Sequence, residues 1–388
     1  MTDIHAFDAA AERAANRLAR ENSRILEVLG KRIAKIRNSK KNTELGLRFE
    51  SEAEANKLLQ SLDHILSKAV ADGEMIVSQA GELAGSQAIA FFEHHGLELL
   101  PQQKAALIEN MLASVQQITG GAFTNLANTS AIGVRSVGLD GRVIYRGFRE
   151  AYMDIVDRAI TDMATGGGFE PAFRQALRQF ADSGVRIVDY ASGWSQRLDS
   201  FLRRSILDGV RDIWQANHDR VGREFGADGV ELSAHGGCAH DHLPYQGKQF
   251  SNRQFKRLQS DLERPIGYWN CRHIAFPILM GISRPAHTAS ELARLYEMST
   301  RTVEFEGREY TTYEATQLQR RIETAIRQAK DRAILAAAAG DDITRRREQA
   351  RINVLRDKYM ELSKRFGLPV RADRMRVSGF RPVSAGIN

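Results

Sequence analysis

The stretch that decides the fold class runs from Tyr310 to Gly367 and reads YTTYEATQLQRRIETAIRQAKDRAILAAAAGDDITRRREQARINVLRDKYMELSKRFG. Strong helix formers make up most of it. Gly340 divides it, because glycine readily adopts the left-handed conformation that ends a helix. Asp341 or Asp342 follows, and either carboxylate can accept hydrogen bonds from the first free amides of a second helix. The stretch therefore predicts two charged helices separated by Gly340.

Helical patterns also fill the first part of the chain. In residues 8–37 the apolar side chains recur at spacings of three, four and seven, and the remaining face is rich in charged residues. This is the period of an amphipathic helix. A second helical region is predicted from residue 51 to about residue 118, where helix-forming residues are frequent. Glycine, asparagine and serine then become dense, which favours a linker or extended loop over residues 119–142.

The next part of the chain mixes helical and strand-like patterns. Helical periodicity runs through YRGFREAYMDIVDRAITDMA, PAFRQALRQFADS and SQRLDSFLRRSILDGVRDIWQANHDRVGREF. The shorter VRIVDY and VELSAH alternate between apolar and polar residues, and HIAFPILMG is a short apolar run, as expected of strands. We therefore predict a small α+β domain in this part.

These patterns together predict a mostly α fold with a small α+β domain. Two to three domains are expected of a chain of 388 residues. We expect a helical N-terminal region over residues 1–118, a linker or extended loop over 119–142, and the central α+β domain over 143–289. A basic helical segment with an irregular tail is expected over 290–388.

Charge is distributed unevenly along the chain. Residues 301–388 contain nineteen Lys and Arg against twelve Asp and Glu, which accounts for the whole net charge of +7. A basic terminal segment on a neutral body favours a polyanionic neighbour, and a solvated helical face is the alternative. The candidate DNA contacts in this segment are Arg345, Arg346, Arg347, Arg351, Lys364 and Arg365.

Composition argues against membrane and secreted classes. No apolar run approaches the roughly 18 residues that a membrane-spanning helix needs. The N-terminus carries acidic residues early and has no apolar core, unlike a secretory signal. Two cysteines do not make a disulfide framework. We therefore expect a protein of the cytoplasm, or of an assembly built there, with no membrane partner.

Rare residue types concentrate in two short segments, SAHGGCAHDHLPYQGKQF and GYWNCRHIAFPILMG. Cys238 and Cys271 are the two cysteines of the chain, and each precedes a histidine by two positions. In a strand, a Cys-x-His pair points both side chains to one face. Because two distant motifs share these residue types, we predict that His242, Cys271 and His273 lie close together.

The residue types leave three interpretations open. Thiolate and imidazole are zinc ligands, so Cys238, His242, Cys271 and His273 are candidates for a zinc site, although the spacing is not that of a standard zinc finger. Cys271 with His242 has the residue types of a cysteine nucleophile and its base. A packed core of small hydrophobic cysteines and hydrogen-bonded histidines is the simplest interpretation. No Walker loop, GxSxG elbow or dinucleotide-binding fingerprint accompanies them.

Four segments, in order along the chain, resemble the phage minor capsid protein 2 family, which is related to the Mu-type F minor head proteins. They are YASGWSQRLDSFLRRSILDGV, VELSAHGGCAHDHLPYQGKQFS, GYWNCRHIAFPILMGIS and YTTYEATQLQRRIETAIRQAKDRA. The resemblance runs from about Val143 to Val377. Carried over by position, the signature residues are Ser233, His235, His242, Gln246, Gly247, Asn270, Cys271, Arg272, His273, Gln317 and Arg320.

The resemblance implies a non-enzymatic, low-copy component inside the head of a tailed phage or prophage, assembled in the bacterial cytoplasm. Such a protein lies near the portal and contacts portal, other head proteins and packaged double-stranded DNA, and it needs no cofactor. Cys238 and His240 are not signature positions, which favours a core cluster over a Cys₂His₂ zinc set. The alternative is a metal-dependent nuclease or hydrolase built on the His/Cys cluster.

Overall fold

A computed structural model of the chain describes residues 7–39, 44–94, 132–137, 142–165, 169–188, 195–267, 271 and 273–383, together with 100–102, 104–106, 109 and 113. Helices dominate these ranges and three small sheets accompany them, which confirms the predicted fold class. None of the described helices is both long and apolar enough to cross a membrane.

The described helices are α1 (Asp8–Arg37), α2 (Glu44–His94), α3 (Phe148–Ala164), α4 (Pro171–Ser183), α5 (Leu198–Glu224), α6 (Asn252–Asp261), α7 (Ala289–Thr300), α8 (Thr312–Ala339) and α9 (Asp342–Phe366), with a short 3₁₀ helix at Ala372–Met375. The described strands are β1 (Ile132–Val137), β2 (Val143–Gly147), β3 (Arg186–Val188), β4 (Ser195–Arg197), β5 (Gly229–Leu232), β6 (Gln249–Ser251), β7 (Ala275–Ile278), β8 (Thr302–Phe305) and β9 (Arg308–Thr311). All pairings are antiparallel, in the orders β2-β1-β3-β4, β6-β5-β7 and β8-β9.

The largest body of the molecule is a helical bundle. Helices α1, α2, α3 and α5 pack against one another through an apolar core. The stripe that predicts α1 from the sequence is the face that is buried, with Leu26, Leu29 and Ile33 fully covered. Burying apolar surface at roughly 25 cal/mol per Å² makes this stripe the main source of stability for the helix.

Helix α8 joins this bundle from the far end of the sequence. Ile334 and Leu335 belong to the same buried core as α1. At Gly30 the two helices approach so closely that a Cβ on the glycine would lie 2.5 Å from the Cβ of Ala338. Part of the predicted C-terminal region therefore shares a core with the predicted N-terminal region.

A buried group of charged residues lies between α5 and α8, and we call it the Arg/Asp network: Arg197, Asp199, Arg327 and Asp331. Arg197 donates from Nε to Asp199 at 3.3 Å and from Nη1 to Asp331 at 3.2 Å. Arg327 donates to Asp199 at 3.4 Å. Asp199 and Asp331 are buried, so the charges of the two helices compensate each other away from solvent.

The boundary between α8 and α9 follows the sequence. Gly340 has φ of +78° and ends α8, and its left-handed conformation suits glycine. The carboxylate of Asp341 then accepts a hydrogen bond from the Thr344 amide at 3.2 Å, which caps α9. Thr311 forms a capping box with Glu314 at the start of α8. The predicted pair of helices separated by Gly340 is confirmed.

One predicted loop contains a strand. Within residues 119–142, the part from Ile132 to Val137 forms β1, which pairs with β2 and with β3. Ile132 and Val134 are buried against the helical bundle, because alternate residues of a strand face the same side. Residues 119–131 lie outside the described residues. The linker prediction is therefore wrong for this part, where a central strand replaces it.

A second, smaller core lies under the β6-β5-β7 sheet. It contains Val230, Leu232, Ile266, Cys271 and Ala275. The sheet contacts the bundle through α5. The side chain of Gln215 bonds to both backbone groups of Ala275 in β7, at 3.0 and 3.3 Å, and the ring of His218 packs on Phe276 of the same strand. The His/Cys segments belong to this small unit.

Candidate metal centre

The β6-β5-β7 sheet brings the two His/Cys segments together. Beyond the end of β5, the Ser233 amide donates to the Ile274 carbonyl at 2.9 Å, and the Ser233 hydroxyl accepts from the Ile274 amide at 2.9 Å. This pairing continues the contact between β5 and β7 by one residue, so the loop after β5 starts beside His273. The role of the signature serine is thus to hold the two segments in register.

The signature glycine of the same loop is required by both conformation and space. Gly247 has φ of +69°, in the left-handed region that favours glycine. Its amide donates to the Leu232 carbonyl at 2.9 Å, which closes the loop back onto β5. A Cβ here would lie 2.2 Å from Leu292 of α7. Any larger residue would therefore displace α7 or open the loop.

His242 is held by a backbone carbonyl. The imidazole is 1% exposed, and its Nε2 lies 2.7 Å from the carbonyl oxygen of Arg264. A carbonyl oxygen only accepts hydrogen bonds, so Nε2 carries the hydrogen. The guanidinium of Arg264 makes a two-point contact with Asp241, at 2.7 and 3.0 Å, which fixes the segment that presents this carbonyl. The Nδ1 of His242 consequently points inward.

His273 is held in the same way by a side-chain amide. Its Nε2 lies 3.3 Å from Oε1 of Gln246. The same Oε1 lies 3.1 Å from the backbone amide of His235, which can only donate. This contact identifies the Gln246 atom as the oxygen, so the His273 Nε2 that faces it must carry the hydrogen. The Nδ1 of His273 is then the nitrogen without a hydrogen in the neutral ring.

Cys271 lies between the two imidazoles. Its Sγ is 3.3 Å from Nδ1 of His242 and 3.3 Å from Nδ1 of His273. The three ligand-type atoms all lie within 4.8 Å of one another, and all three residues are buried. The predicted proximity of His242, Cys271 and His273 is confirmed, and we call these three residues the His/Cys cluster.

Cys238 lies on the other side of His273. Its Sγ is 3.6 Å from Nε2 of that ring and donates to the Ala239 carbonyl at 3.2 Å. Among the described residues Cys238 groups with His235 and His273 instead of joining the His/Cys cluster. His240 is exposed. The arrangement of two Cys-x-His pairs around one point, considered from the sequence, is therefore wrong.

The two thiols are in opposite electrostatic environments. Burial would raise the pKa of Cys271, but the contacts with His242 and His273 outweigh burial and lower its pKa to about 5. Burial raises the pKa of Cys238 to about 12, and the neighbouring Cys271 adds to the shift. Burial lowers the pKa of His242, yet its contacts with Cys271 and the Arg264 carbonyl leave it raised overall.

A cleft of about 340 Å³ opens beside the His/Cys cluster. The cluster residues line one side, and the N-terminal part of α8 lines the other with Thr312, Tyr313, Thr316, Gln317 and Arg320. Further arginines, Arg264, Arg371 and Arg374, also line it. The cleft therefore combines a cysteine sulfur and two imidazoles with several arginines.

The signature positions converge on this cleft from three parts of the sequence. His235, His242, Cys271, His273, Gln317 and Arg320 line it directly. Gln246, Gly247 and Ser233 support the side that carries the cluster. Asn270 and Arg272 lie outside the described residues.

Sequence reasoning missed two groups that complete the site. The Arg264 carbonyl is a backbone atom, and no residue type signals that a carbonyl will face a histidine. Arg371 and Arg374 follow α9, in the tail that the sequence marks only as irregular, although the 3₁₀ helix at Ala372–Met375 places them against the cleft. The one sequence signal that could have marked Arg371 and Arg374 is that basic residues recur in this short segment after α9.

The six candidate DNA contacts lie elsewhere, on α9. Arg346, Arg347, Arg351, Lys364 and Arg365 are exposed, and Arg345 is half-buried. None of the six lines the cleft. The metal-type residues and the basic helix are therefore two distinct candidate sites.

Comparison with known proteins identifies a family over most of the chain. The family model described as phage minor capsid protein 2 matches residues 18–362. No curated protein and no solved structure matches the chain. The matched segment includes the His/Cys cluster, the cleft residues of α8 and nearly all of α9.

Proposed function

The chain belongs to the phage minor capsid protein 2 family, and from that premise we propose that it is a low-copy component inside the head of a tailed phage, near the portal, whose helix α9 contacts packaged DNA. The family supports a structural protein of the phage head. The position near the portal and the contact with DNA are the proposed part. The basic surface of α9 is the observation that carries the DNA contact.

Four basic residues of α9 recur at helical spacing. Arg347, Arg351, Lys358 and Arg365 are separated by four, seven and seven positions. Residues at these spacings lie along one side of a helix. Arg365 lies eighteen positions after Arg347, which corresponds to about 27 Å at 1.5 Å per residue. Basic side chains spread over this length can contact several phosphates of a DNA duplex, which carries one negative charge per about 1.7 Å of its axis.

Part of this row is engaged within the protein. Lys358 forms an ion pair with Glu306, and Arg365 donates to the Glu304 carbonyl at 2.9 Å. Exposed pairs of this kind contribute about 1 kcal/mol or less, so they do not prevent a switch to phosphate. Arg347 remains about half exposed beside the buried Glu348.

Burial also separates the charges of this segment. Glu323, Asp331, Asp341 and Glu348 are acids of residues 301–388, and all four are buried. They lie inside the protein with arginines such as Arg332, which bonds both to Glu348 and to Asp182 of the bundle. The solvent-facing side of α9 therefore carries an excess of positive charge, as sequence-independent DNA contact requires.

The DNA contact is tested with the full chain, because an isolated residue 301–388 segment would expose the face of α8 that packs on α1. Binding of duplex DNA is measured over a range of salt concentrations. We expect similar affinity for unrelated sequences and a steep linear fall of log K with log salt. Replacing Arg346, Arg347 and Arg351 by glutamine should reduce that slope by roughly two to three, since each lost phosphate contact removes about 0.9.

A matched control is available on α6. Arg253, Lys256 and Arg257 are also three exposed basic residues on one helix. Their replacement by glutamine changes the net charge equally but leaves α9 intact. If both triple variants reduce the salt slope to the same extent, binding follows net charge alone, and the assignment to α9 is overturned.

The position near the portal is tested in purified virions. We expect a copy number comparable with that of the portal, and chemical cross-links between the two proteins. Hundreds of copies per particle, as for a shell protein, or absence from mature particles would contradict the proposal. The hydrolase alternative is not favoured by the family.

A further inference from the structure

We propose that His242 Nδ1, Cys271 Sγ and His273 Nδ1 bind one zinc ion, with the fourth coordination position facing the cleft. This inference does not depend on DNA or portal contact. It depends on the positions of hydrogens and on the geometry of three buried atoms.

The hydrogen positions leave the two contacts between Cys271 and the histidine Nδ1 atoms without enough hydrogen-bond donors. The hydrogens on Nε2 of His242 and of His273 are fixed by oxygens that only accept. Both Nδ1 atoms therefore present lone pairs to the sulfur of Cys271 when the rings are neutral. With both rings neutral, a Cys271 thiol has a single hydrogen, which can serve only one of the two contacts, and a thiolate has none. One cation placed between the three atoms satisfies all of them together.

The distances are close to those of a metal site. Tetrahedral zinc with Zn–S near 2.3 Å and Zn–N near 2.0 Å places sulfur and nitrogen about 3.6 Å apart. The two S–N separations in the cluster are each 3.3 Å. A shift of a few tenths of an ångström in two side chains is enough to accommodate the ion.

The groups around the cluster have the arrangement found behind metal-bound histidines. Such histidines donate their second ring N–H to a carbonyl or carboxylate, which fixes the ring and the tautomer. His242 donates to the Arg264 carbonyl at 2.7 Å, and His273 donates to Gln246 at 3.3 Å. Both rings are thus oriented with the metal-binding nitrogen toward Cys271. A packed core does not require both rings to direct Nδ1 toward the same sulfur.

The ligand set selects the kind of metal. One thiolate and two imidazoles suit zinc and exclude calcium and magnesium, which prefer oxygen ligands. Three protein ligands leave one position of a tetrahedron open. All three residues line the cleft, so water or an anionic group from the cleft takes that position. Cys238 contacts the opposite nitrogen of His273, and we exclude it from the site.

The test uses the full chain, stripped of metal and then titrated with Zn²⁺ and, separately, with Co²⁺. We expect one ion per chain. Bound Co²⁺ should show a sulfur-to-cobalt charge-transfer band and intense visible bands typical of four-coordinate geometry. Cys271→Ser should abolish the charge-transfer band, and His273→Gln should weaken binding at least 100-fold.

Cys238→Ser is the matched control, because Cys238 is equally buried and contacts the same histidine from the other side. It should bind one Co²⁺ with an unchanged spectrum. A metal-free chain that is folded by circular dichroism and binds neither ion overturns the proposal. So does a Cys238→Ser variant that loses the band while Cys271→Ser keeps it. Metal binding by the unaltered chain is measured without any variant. The proposal can therefore be overturned even if a variant fails to fold.

Discussion

The Arg/Asp network and the His/Cys cluster are both buried polar groups, yet they are satisfied in different ways. In the network, two arginines face two aspartates, and the charges balance within the protein. In the cluster, one sulfur faces two ring nitrogens whose hydrogens point elsewhere. The network fixes α5 against α8, whereas the cluster lacks a positive centre. The count of hydrogen-bond donors and charges in each group therefore distinguishes the Arg/Asp network, as a structural group, from the His/Cys cluster, as a ligand site.

The largest effect is expected from breaking the network. Arg197→Met leaves Asp199 and Asp331 buried without their shared partner. Removing one side of a buried ion pair typically costs about 3–5 kcal/mol, and we expect a loss of this size in the free energy of unfolding measured with denaturant. Arg257→Met is the control, because its side chain is 86% exposed. An Arg197→Met loss as small as that of the control would mean that the network does not hold the bundle.

Zinc should stabilise the cluster and leave the network unaffected. Zinc at about 100 times its dissociation constant should raise the free energy of unfolding by about 2.7 kcal/mol, because it binds the folded chain. Arg197→Met should show the same increase, since the two groups share no residue. A smaller increase in that variant would show that they are coupled. Denaturant titrations with and without zinc measure the increase in the free energy of unfolding for the unaltered chain and for Arg197→Met.

Gln246 tests whether the ring orientation matters. Gln246→Leu removes the oxygen that holds His273 and should weaken zinc binding about 10–100-fold. Gln246→Glu keeps an acceptor at the same position and should lose less. Isothermal titration of the metal-free chains compares the two. Equal affinity in the leucine variant would contradict the role of Gln246 in positioning His273.

His218 provides the smallest and most selective test, because its half-buried ring belongs to neither the Arg/Asp network nor the His/Cys cluster. Its Nε2 has no hydrogen-bond partner among the described residues, and its ring packs on Phe276. Burial lowers its pKa, so the folded state disfavours the protonated ring. Its contribution to stability is present above the unfolded pKa of about 6.5 and is lost as pH falls below it.

We therefore expect that the unaltered chain loses stability between pH 7.5 and 5.5, and that His218→Phe loses less. Thermal melts at several pH values measure the difference. Parallel pH profiles for the two chains would show that His218 does not titrate differently on folding.

Much of the helical fold could be predicted from periodicity. Both ends of α1 and the break at Gly340 follow from local residue types, since caps and apolar spacing are local signals. Strand β1 could not, because the glycines and polar residues around Ile132 hide its alternation. The β8-β9 hairpin had a signal that was overlooked: Glu306 and Gly307 both have positive φ, as a two-residue hairpin turn requires.

The site was predictable in its rare residues and not in its surroundings. Cysteine and histidine are scarce enough to mark His242, Cys271 and His273 from the sequence. Their tautomers depend on the Arg264 carbonyl and on the orientation of Gln246, which only the folded chain sets. The wall supplied by Gln317 and Arg320 comes from more than forty positions further along the chain, and no local pattern links it to the cluster.

Helix α8 has one end in the bundle and the other at the cleft, which gives it the properties of a lever. It is a continuous helix of 28 residues, about 42 Å long at 1.5 Å per residue. Its C-terminal part is fixed against α1 at Gly30, and its N-terminal part carries the wall opposite Cys271. Gln317 lies twenty-one positions before Ala338, about 32 Å along the helix axis, so a rotation of about 5° at the fixed end would move the wall by about 3 Å. A small rotation of α8 against the bundle would therefore change the width of the cleft.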